Sequence, residues 1–418
     1  MTAGPTGASS PDARHILILG AGHAGGVAAM ALRQAGFTGP VTLIGNEDHP
    51  PYERPPLSKE VLLGGMAVEK TYLKPLAFYA EAGIALRLGE TVSRIDRAAK
   101  WVELATGDGV AYDLLLLTLG ARARRLSIPG ADDRRVLYLR DIADCLALRV
   151  HLVAGKRLVV IGAGFIGLEA AAAARKQGAS VTVLEVQQVP IQRVAAPEIG
   201  HFLAELHLKN GVDLRTSVTV AAIEPGGDAL SLKLSSGDTI EADLVLVGIG
   251  ASPNAELAAS AGLAVEDGIV VDEFGRTSDS NIFAAGDVTR HWNPLVGRNL
   301  RLEAWQNAQN QAAAIAKAMI GGGVPHAEVP WFWTDQYDVN LQMAGAPEGW
   351  DRLVWRGAVT DKAFTLFYLH QGKIVACNTV NNGRDMRPAR ELIAKGSIVD
   401  AARLADPTVK LQDLTRES

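Results

Sequence analysis

Ile16-Leu-Ile-Leu-Gly20-Ala-Gly22-His-Ala-Gly25 and Leu158-Val-Val-Ile-Gly162-Ala-Gly164-Phe-Ile-Gly167 are two copies of one construction. In each, an apolar run of strand length meets Gly-x-Gly-x-x-Gly, and an Ala-rich helical stretch follows. Gly36 lies 14 residues after Gly22, and Gly178 lies 14 after Gly164. Glycine adopts the left-handed conformation that commonly ends a helix, so each helix is expected to stop there. A second apolar strand then follows, Val41-Thr-Leu-Ile44 or Val181-Thr-Val-Leu184. Each unit is therefore a β-α-β start, which favours parallel strands joined by a right-handed crossover.

A second pair of matching segments closes the units. Asp113-Leu-Leu-Leu-Leu-Thr-Leu-Gly120 resembles Asp243-Leu-Val-Leu-Val-Gly-Ile-Gly250, and both read as buried strands ending at a glycine turn. The second unit reads as an insertion in the first. The expected division is 13–118 plus 251–325 for the first unit and 119–250 for the second. Beyond about Pro325 aromatic residues crowd the chain, from Trp331, Phe332 and Trp333 to Phe364, Phe367 and Tyr368. Alternation over Ala363–Leu369 suggests strands, so 326–418 is expected to be a smaller α+β domain. Residues 1–12, rich in Gly, Pro, Ser and Ala, read as a disordered tail rather than a signal peptide.

Composition narrows the function. The 418 residues are 48% hydrophobic and 21% charged, as in ordinary globular proteins. Glycines break up the apolar stretch Ile16–Leu32, so it is no membrane span. A net charge of −5 argues against nucleic acid as the main partner. The two cysteines, Cys145 and Cys377, are far apart, which excludes a Cys-ligated iron–sulfur cluster and a local CxxC redox pair. They suit a reducing, cytoplasmic compartment. The nine histidines form no HxxxH or HExxH motif, so no metal site is expected. Neither GxSxG nor GxxxxGK[ST] occurs.

The glycine loops carry chemistry. Gly20, Gly22 and Gly25, and likewise Gly162, Gly164 and Gly167, turn the backbone sharply from strand to helix. They let a pyrophosphate approach the helix N-terminus, where free N–H groups and the helix dipole favour negative charge. Ile166 stands inside the second loop. Two such units suggest two dinucleotides, one held permanently and one visiting. Glu185 ends the second unit's second strand, 18 residues after Gly167. A carboxylate there accepts hydrogen bonds from an adenosine ribose and repels a 2′-phosphate, which points to NADH rather than NADPH. In the first unit, Asn46 or Glu47 stands in the same position, which suits FAD.

Pro51-Tyr-Glu-Arg54-Pro-Pro-Leu-Ser-Lys59, after the first glycine loop and Gly45-Asn-Glu47, resembles the oxygenase-coupled, NADH-dependent ferredoxin reductases. The resemblance covers residues 15–410. It includes Gly162–Glu169, Thr277-Ser-Asp279, Ala285-Gly-Asp287, Glu303-Ala-Trp305-Gln-Asn307 and Pro330-Trp-Phe-Trp-Thr-Asp-Gln-Tyr337. It implies an α/β, glutathione-reductase-like flavoprotein with two dinucleotide-binding domains and a C-terminal α+β domain. FAD would belong to the first unit and NADH to the second. NADH would reduce FAD, which passes single electrons to a [2Fe–2S] ferredoxin serving a cytochrome P450 or a Rieske-type oxygenase.

Carried over by motif position, the resemblance implies FAD contacts at Ala24, Asn46, Arg54, Lys59, Val92, Arg140, Asp287 and Trp305. Arg122 matches an arginine near the flavin, and Gly250 closes the second unit's turn. The family often has an acid where Asn46 stands. Phe165 matches an aromatic that covers the flavin when NADH is absent, and Trp333 one near the flavin edge. Lys59 would sit beside the flavin with Glu169 facing it. Glutathione-reductase relatives carry a disulfide next to the flavin, whereas Pro51–Lys59 has no cysteine, so the electrons must leave to an outside acceptor. An acidic ferredoxin would need a local basic patch, for which Arg298, Arg301, Arg384, Arg387 and Arg390 are candidates. The motifs specify the flavin site rather than the acceptor. A flavoprotein reducing rubredoxin or oxygen, and a redox-regulatory NADH-binding flavoprotein, stay open.

Overall fold

The computed structural model describes residues 12–417. The expected tail over 1–12 lies, apart from Asp12, outside the described residues. Along the chain the first unit supplies β1 (Ile16–Leu19), α1 (His23–Gln34), β2 (Val41–Ile44), β3 (Ile84–Arg87) and β4 (Leu114–Leu117). The second supplies β5 (Val136–Leu137), β6 (Arg157–Ile161), α2 (Phe165–Lys176), β7 (Ser180–Leu184), β8 (Asp213–Arg215) and β9 (Leu244–Val247). β10 (Ile282–Ala284) then returns to the first sheet, beside β4.

The two sheets are built alike. The first has the order β10-β4-β1-β2-β3 and the second β5-β9-β6-β7-β8, all parallel. Register repeats too: Ile16 lies between Val41 and Leu114, and Leu158 between Val181 and Leu244. β1, β2, β4 and β9 are buried along their whole length, as their unbroken apolar runs require of parallel strands covered on both faces. Both helices stop where the glycines stand, at Gly36 (φ +85°) and Gly178 (φ +83°).

A second repeat lies just before the closing strand of each unit. Residues 92–111 form a three-stranded antiparallel meander, and residues 220–242 form another. The chain enters the second unit through Ala121–Ala123 and leaves it through Ala251–Pro253. These two segments pair antiparallel, as a two-stranded hinge.

After α3 (Trp305–Met319) comes a five-stranded antiparallel sheet: β11 (Trp331–Gln336), β12 (Val339–Gly345), β13 (Arg352–Ala358), β14 (Ala363–His370) and β15 (Lys373–Val380). Its order is β11-β12-β15-β14-β13. One face packs on α4 (Gly383–Lys395) through Phe367, Leu369, Met386 and Leu392. The other shares a core with the second unit, where Leu341, Phe364 and Leu366 join Leu168, Ile199 and Leu203. That shared core sets β11 against α2. Among the described residues no helix is long and apolar enough to cross a membrane.

Candidate functional site

The glycine loops differ in what each glycine does. A Cβ on Gly20 would lie 2.2 Å from the Thr118 carbonyl oxygen, and one on Gly162 would lie 2.4 Å from that of Gly248. A Cβ on Gly25 would lie 2.0 Å from Gly20 O, and one on Gly167 would lie 2.2 Å from Gly162 O. The turn itself therefore demands the outer glycines. The middle ones face open space: nothing lies within 4 Å at Gly22, and the nearest atom at Gly164 is 3.8 Å away. Each middle glycine caps its helix without a side-chain hydrogen bond, and neither first turn holds an acid. Two cradles of free N–H groups result, each of a kind that fits a dinucleotide pyrophosphate.

Around the first cradle the structure gathers a polar cluster. Glu47 accepts hydrogen bonds from the Tyr52 hydroxyl (2.6 Å) and from Arg54 (3.0 Å). Arg54 also donates to the Arg140 carbonyl, and Arg140 pairs with Asp287 at 2.7 Å. Asp287 follows Gly286, whose Cβ position would lie 3.0 Å from that of Ala24. Asn46 stays exposed at the end of β2, while Glu47 is committed to Tyr52 and Arg54. Val92 packs against the hydrophobic core that includes Leu19 and Ile44. Arg122 is not in this cluster. It lies on the hinge, exposed, paired with Glu256 and donating to Asn254 at 2.9 Å. Gly250 (φ +104°) is a hinge residue too, its carbonyl accepting from the Arg124 N–H.

At the second cradle, Glu185 is buried with its carboxylate turned into the loop. It accepts from the Ala163 N–H at 2.6 Å and the Gln187 N–H at 2.8 Å. Ile166 is 42% exposed at the start of α2.

Between the units sits an ion pair. Lys59 Nζ lies 2.9 Å from Glu169 Oε1, with side chains 13% and 2% exposed. A 3-10 turn, Pro55–Ser58, presents Lys59, and the first turns of α2 present Glu169. Burying a carboxylate is costly unless it is paired and hydrogen-bonded. Here it also accepts from the Ser58 hydroxyl and, at 2.6 Å, from the Thr334 hydroxyl of β11. Ser58 and Thr334 fall inside the quoted motifs, but nothing in their spacing marks them as partners of Glu169, 111 and 165 residues away.

Residues flanking Glu169 and Thr334 in the sequence form an aromatic cluster. Phe165 and Phe332 lie 4.5 Å apart between centroids, next to Trp333. Trp333 meets Trp305 edge to face at 6.0 Å and stacks on Trp331 at 5.1 Å. Trp305 leans on His23 of the first glycine loop. Arg390 lies over Trp331, 5.9 Å from the ring centre, and shares a groove with Arg387 and Leu295. Arg298 and Arg301 are not free basic groups. Arg298 pairs with Glu348, and Arg301 with Asp267 and Glu303.

Both thiols are free and buried, Cys145 in the helix Ile142–Arg149 and Cys377 in β15. Burial pushes their pKa values up, to about 11 and about 12, so neither is a thiolate at neutral pH. Among the described residues no group of three or more His, Cys, Asp or Glu could hold a metal.

Residues 14–312 match the pyridine nucleotide-disulphide oxidoreductase family, and residues 331–415 match the reductase C-terminal domain. The ferredoxin–NAD(+) reductase component of the anthranilate 1,2-dioxygenase system of Burkholderia cepacia is 44% identical, over 95% of this chain and 98% of its own. Rhodocoxin reductase of Rhodococcus erythropolis is 42% identical, over 95% and 93%. Among solved structures, putidaredoxin reductase in its covalent complex with putidaredoxin superposes with a TM-score of 0.94 at 37% identity, over 97% of this chain and 98% of its own. The ferredoxin reductase for the CYP199A2 system of Rhodopseudomonas palustris gives 0.93 at 38%, over 96% and 100%. The repeated glycine cradles, the buried Lys59–Glu169 pair and these likenesses along nearly the whole chain agree: the chain belongs to the pyridine nucleotide-disulphide oxidoreductase family, in the branch that carries the reductase C-terminal domain.

Proposed function

We propose that the protein is an FAD-dependent ferredoxin–NAD(+) reductase. It passes electrons from NADH to a [2Fe–2S] ferredoxin that feeds a cytochrome P450 or a Rieske-type oxygenase. The observation that carries this reading is the buried Lys59–Glu169 pair bridging two dinucleotide units, in a chain whose two thiols are both buried and unpaired with each other. Relatives that serve dioxygenase systems, and the solved complex of putidaredoxin reductase with putidaredoxin, support the acceptor. The buried, reduced thiols suit a cytoplasmic setting.

The FAD unit comprises 13–118 and 251–325, the NADH unit 119–250, and the C-terminal domain 326–418. Bound FAD would supply the redox chemistry, hydride acceptance from NADH and one-electron delivery to the acceptor. The protein supplies binding, orientation and charge. The N–H groups around Gly22 would hold the FAD pyrophosphate, Asn46 its ribose, and Arg140, Asp287 and Trp305 would line the rest of the cofactor. The Gly164 loop does the same for NADH, with Glu185 at its ribose and Gly250 closing the turn. Lys59 would set an ammonium beside the flavin ring, with Glu169 fixing that ammonium, and Phe165 would line the face of the ring that NADH meets. Trp333 borders the exit, and Arg387 and Arg390 flank the face that meets an acidic ferredoxin.

Anaerobic titration of the holoenzyme tests the absence of a second redox centre. One NADH per FAD is expected to reduce the flavin completely. A requirement for two NADH would reveal a dithiol in the circuit and overturn the reading.

Coenzyme choice is a separate prediction. Val186 is 61% exposed beside Glu185, so an arginine fits there. Glu185→Ser with Val186→Arg is expected to shift the kcat/KM ratio toward NADPH by at least about tenfold, since like charges facing each other cost several kcal/mol. Unchanged NADH selectivity would remove Glu185 from the ribose contact.

A further inference from the structure

Glu169 stands at the end of a buried hydrogen-bonded chain that crosses the domain boundary twice. Thr334 Oγ donates to Glu169 Oε1 at 2.6 Å, and Gln336 Nε2 donates to Thr334 Oγ at 3.1 Å. His207 Nε2 lies 2.8 Å from Gln336 Oε1. Thr334 and Gln336 belong to β11 of the C-terminal domain. Glu169 and His207 belong to two helices of the second unit, α2 and Pro197–Lys209.

The order of donors is determined throughout. An ionised carboxylate only accepts, so the Thr334 hydroxyl must donate to Glu169 and accept from its other neighbour. The Gln336 amide must therefore present its NH2 to Thr334 and its oxygen to His207. His207 in turn must carry its proton on Nε2. Burial lowers the pKa of this ring, which favours its neutral form, with the single proton on Nε2. Thr334, Gln336 and His207 are all buried.

We propose that Thr334, aligned by Gln336 and His207, is a positioning residue for hydride transfer. It fixes the Glu169 carboxylate and, through it, the Lys59 ammonium beside the flavin. This rests on the reductase reading given above. It also gives the C-terminal domain a part in the reductive half of the reaction, besides any contact with the acceptor.

The test compares Thr334→Val, which keeps the shape and removes the hydroxyl, with Thr334→Ser, which keeps the hydroxyl. Holoenzyme is mixed with NADH in a stopped-flow instrument, and the oxidised flavin spectrum of each variant is recorded before mixing. A hydrogen bond to a charged group supports an effect of about tenfold. In Thr334→Val the flavin-reduction rate constant is expected to fall by that factor, with the NADH dissociation constant changed by less than about twofold. The flavin absorption band is expected to shift because a nearby charge has moved, and Thr334→Ser is expected to restore both rate and band. A wild-type rate and spectrum in Thr334→Val would overturn the proposal. So would a Thr334→Ser variant as impaired as Thr334→Val, which would indicate packing alone. If Thr334→Val fails to retain FAD, Gln336→Met tests the same alignment: a slower rate and shifted band are expected, and wild-type values would overturn it. Wild-type enzyme that NADH cannot reduce would contradict the reductase reading instead, and the band comparison would still decide the role of Thr334.

Discussion

Lys59→Met is expected to slow the reduction of bound flavin by NADH by about 100-fold, the scale seen when one preorganised charge or donor is removed from a reacting centre. Methionine keeps the apolar stem and removes the ammonium. The loss also strands Glu169, which would then rely on Ser58 and Thr334 alone. A buried carboxylate without its counter-ion destabilises the fold by about 3–5 kcal/mol. Thermal unfolding of Lys59→Met should therefore begin at a lower temperature. Adding Glu169→Gln removes the stranded charge, so the double variant is expected to recover Tm without recovering the rate. That split separates the two consequences of one residue. A wild-type reduction rate in Lys59→Met would place Lys59 away from the flavin.

The glycine loops yield a second large and selective effect. Gly25→Ala would drive a methyl group to 2.0 Å from a backbone oxygen that cannot move, so this variant is expected not to fold. Gly22→Ala meets nothing within 4 Å. It is expected to fold, yet to hold FAD at least about tenfold more weakly, or about 1.4 kcal/mol, because the methyl stands where the pyrophosphate must approach. Gly164→Ala is the matching change in the second unit. It is expected to retain FAD and to raise the KM for NADH. Circular dichroism, flavin content and steady-state kinetics distinguish the three variants. Full FAD content in Gly22→Ala would mean that the first cradle does not hold the pyrophosphate.

These expectations depend on features of unequal visibility in the sequence. The glycine repeat was legible because each position answers a local demand, for a positive φ, for close approach or for a helix stop. The closing strands were legible from unbroken apolar runs. The meanders at 92–111 and 220–242 were not, since their strands run only three to seven residues and merge with the flanking loops. Arg122 matches a motif position, yet the pairing of Ala121–Ala123 with Ala251–Pro253 carries it onto the hinge. Arg301 looked like a free cation because its partners, Asp267 and Glu303, become neighbours only through tertiary folding and a local turn. The Lys59–Glu169 pair came from the family pattern. The rest of its environment, Thr334, Gln336 and His207, depends on β11 docking against α2 and the following helix. No local pattern encodes such a contact.

NADH-driven reduction of cytochrome c by the purified holoenzyme, with and without an added [2Fe–2S] ferredoxin, tests the central claim most directly. The rate is expected to rise with ferredoxin concentration and to saturate, as for a reductase that hands single electrons to a docked carrier. Rapid flavin reduction by NADH with no stimulation by any [2Fe–2S] ferredoxin would leave hydride transfer intact and contradict the proposed acceptor.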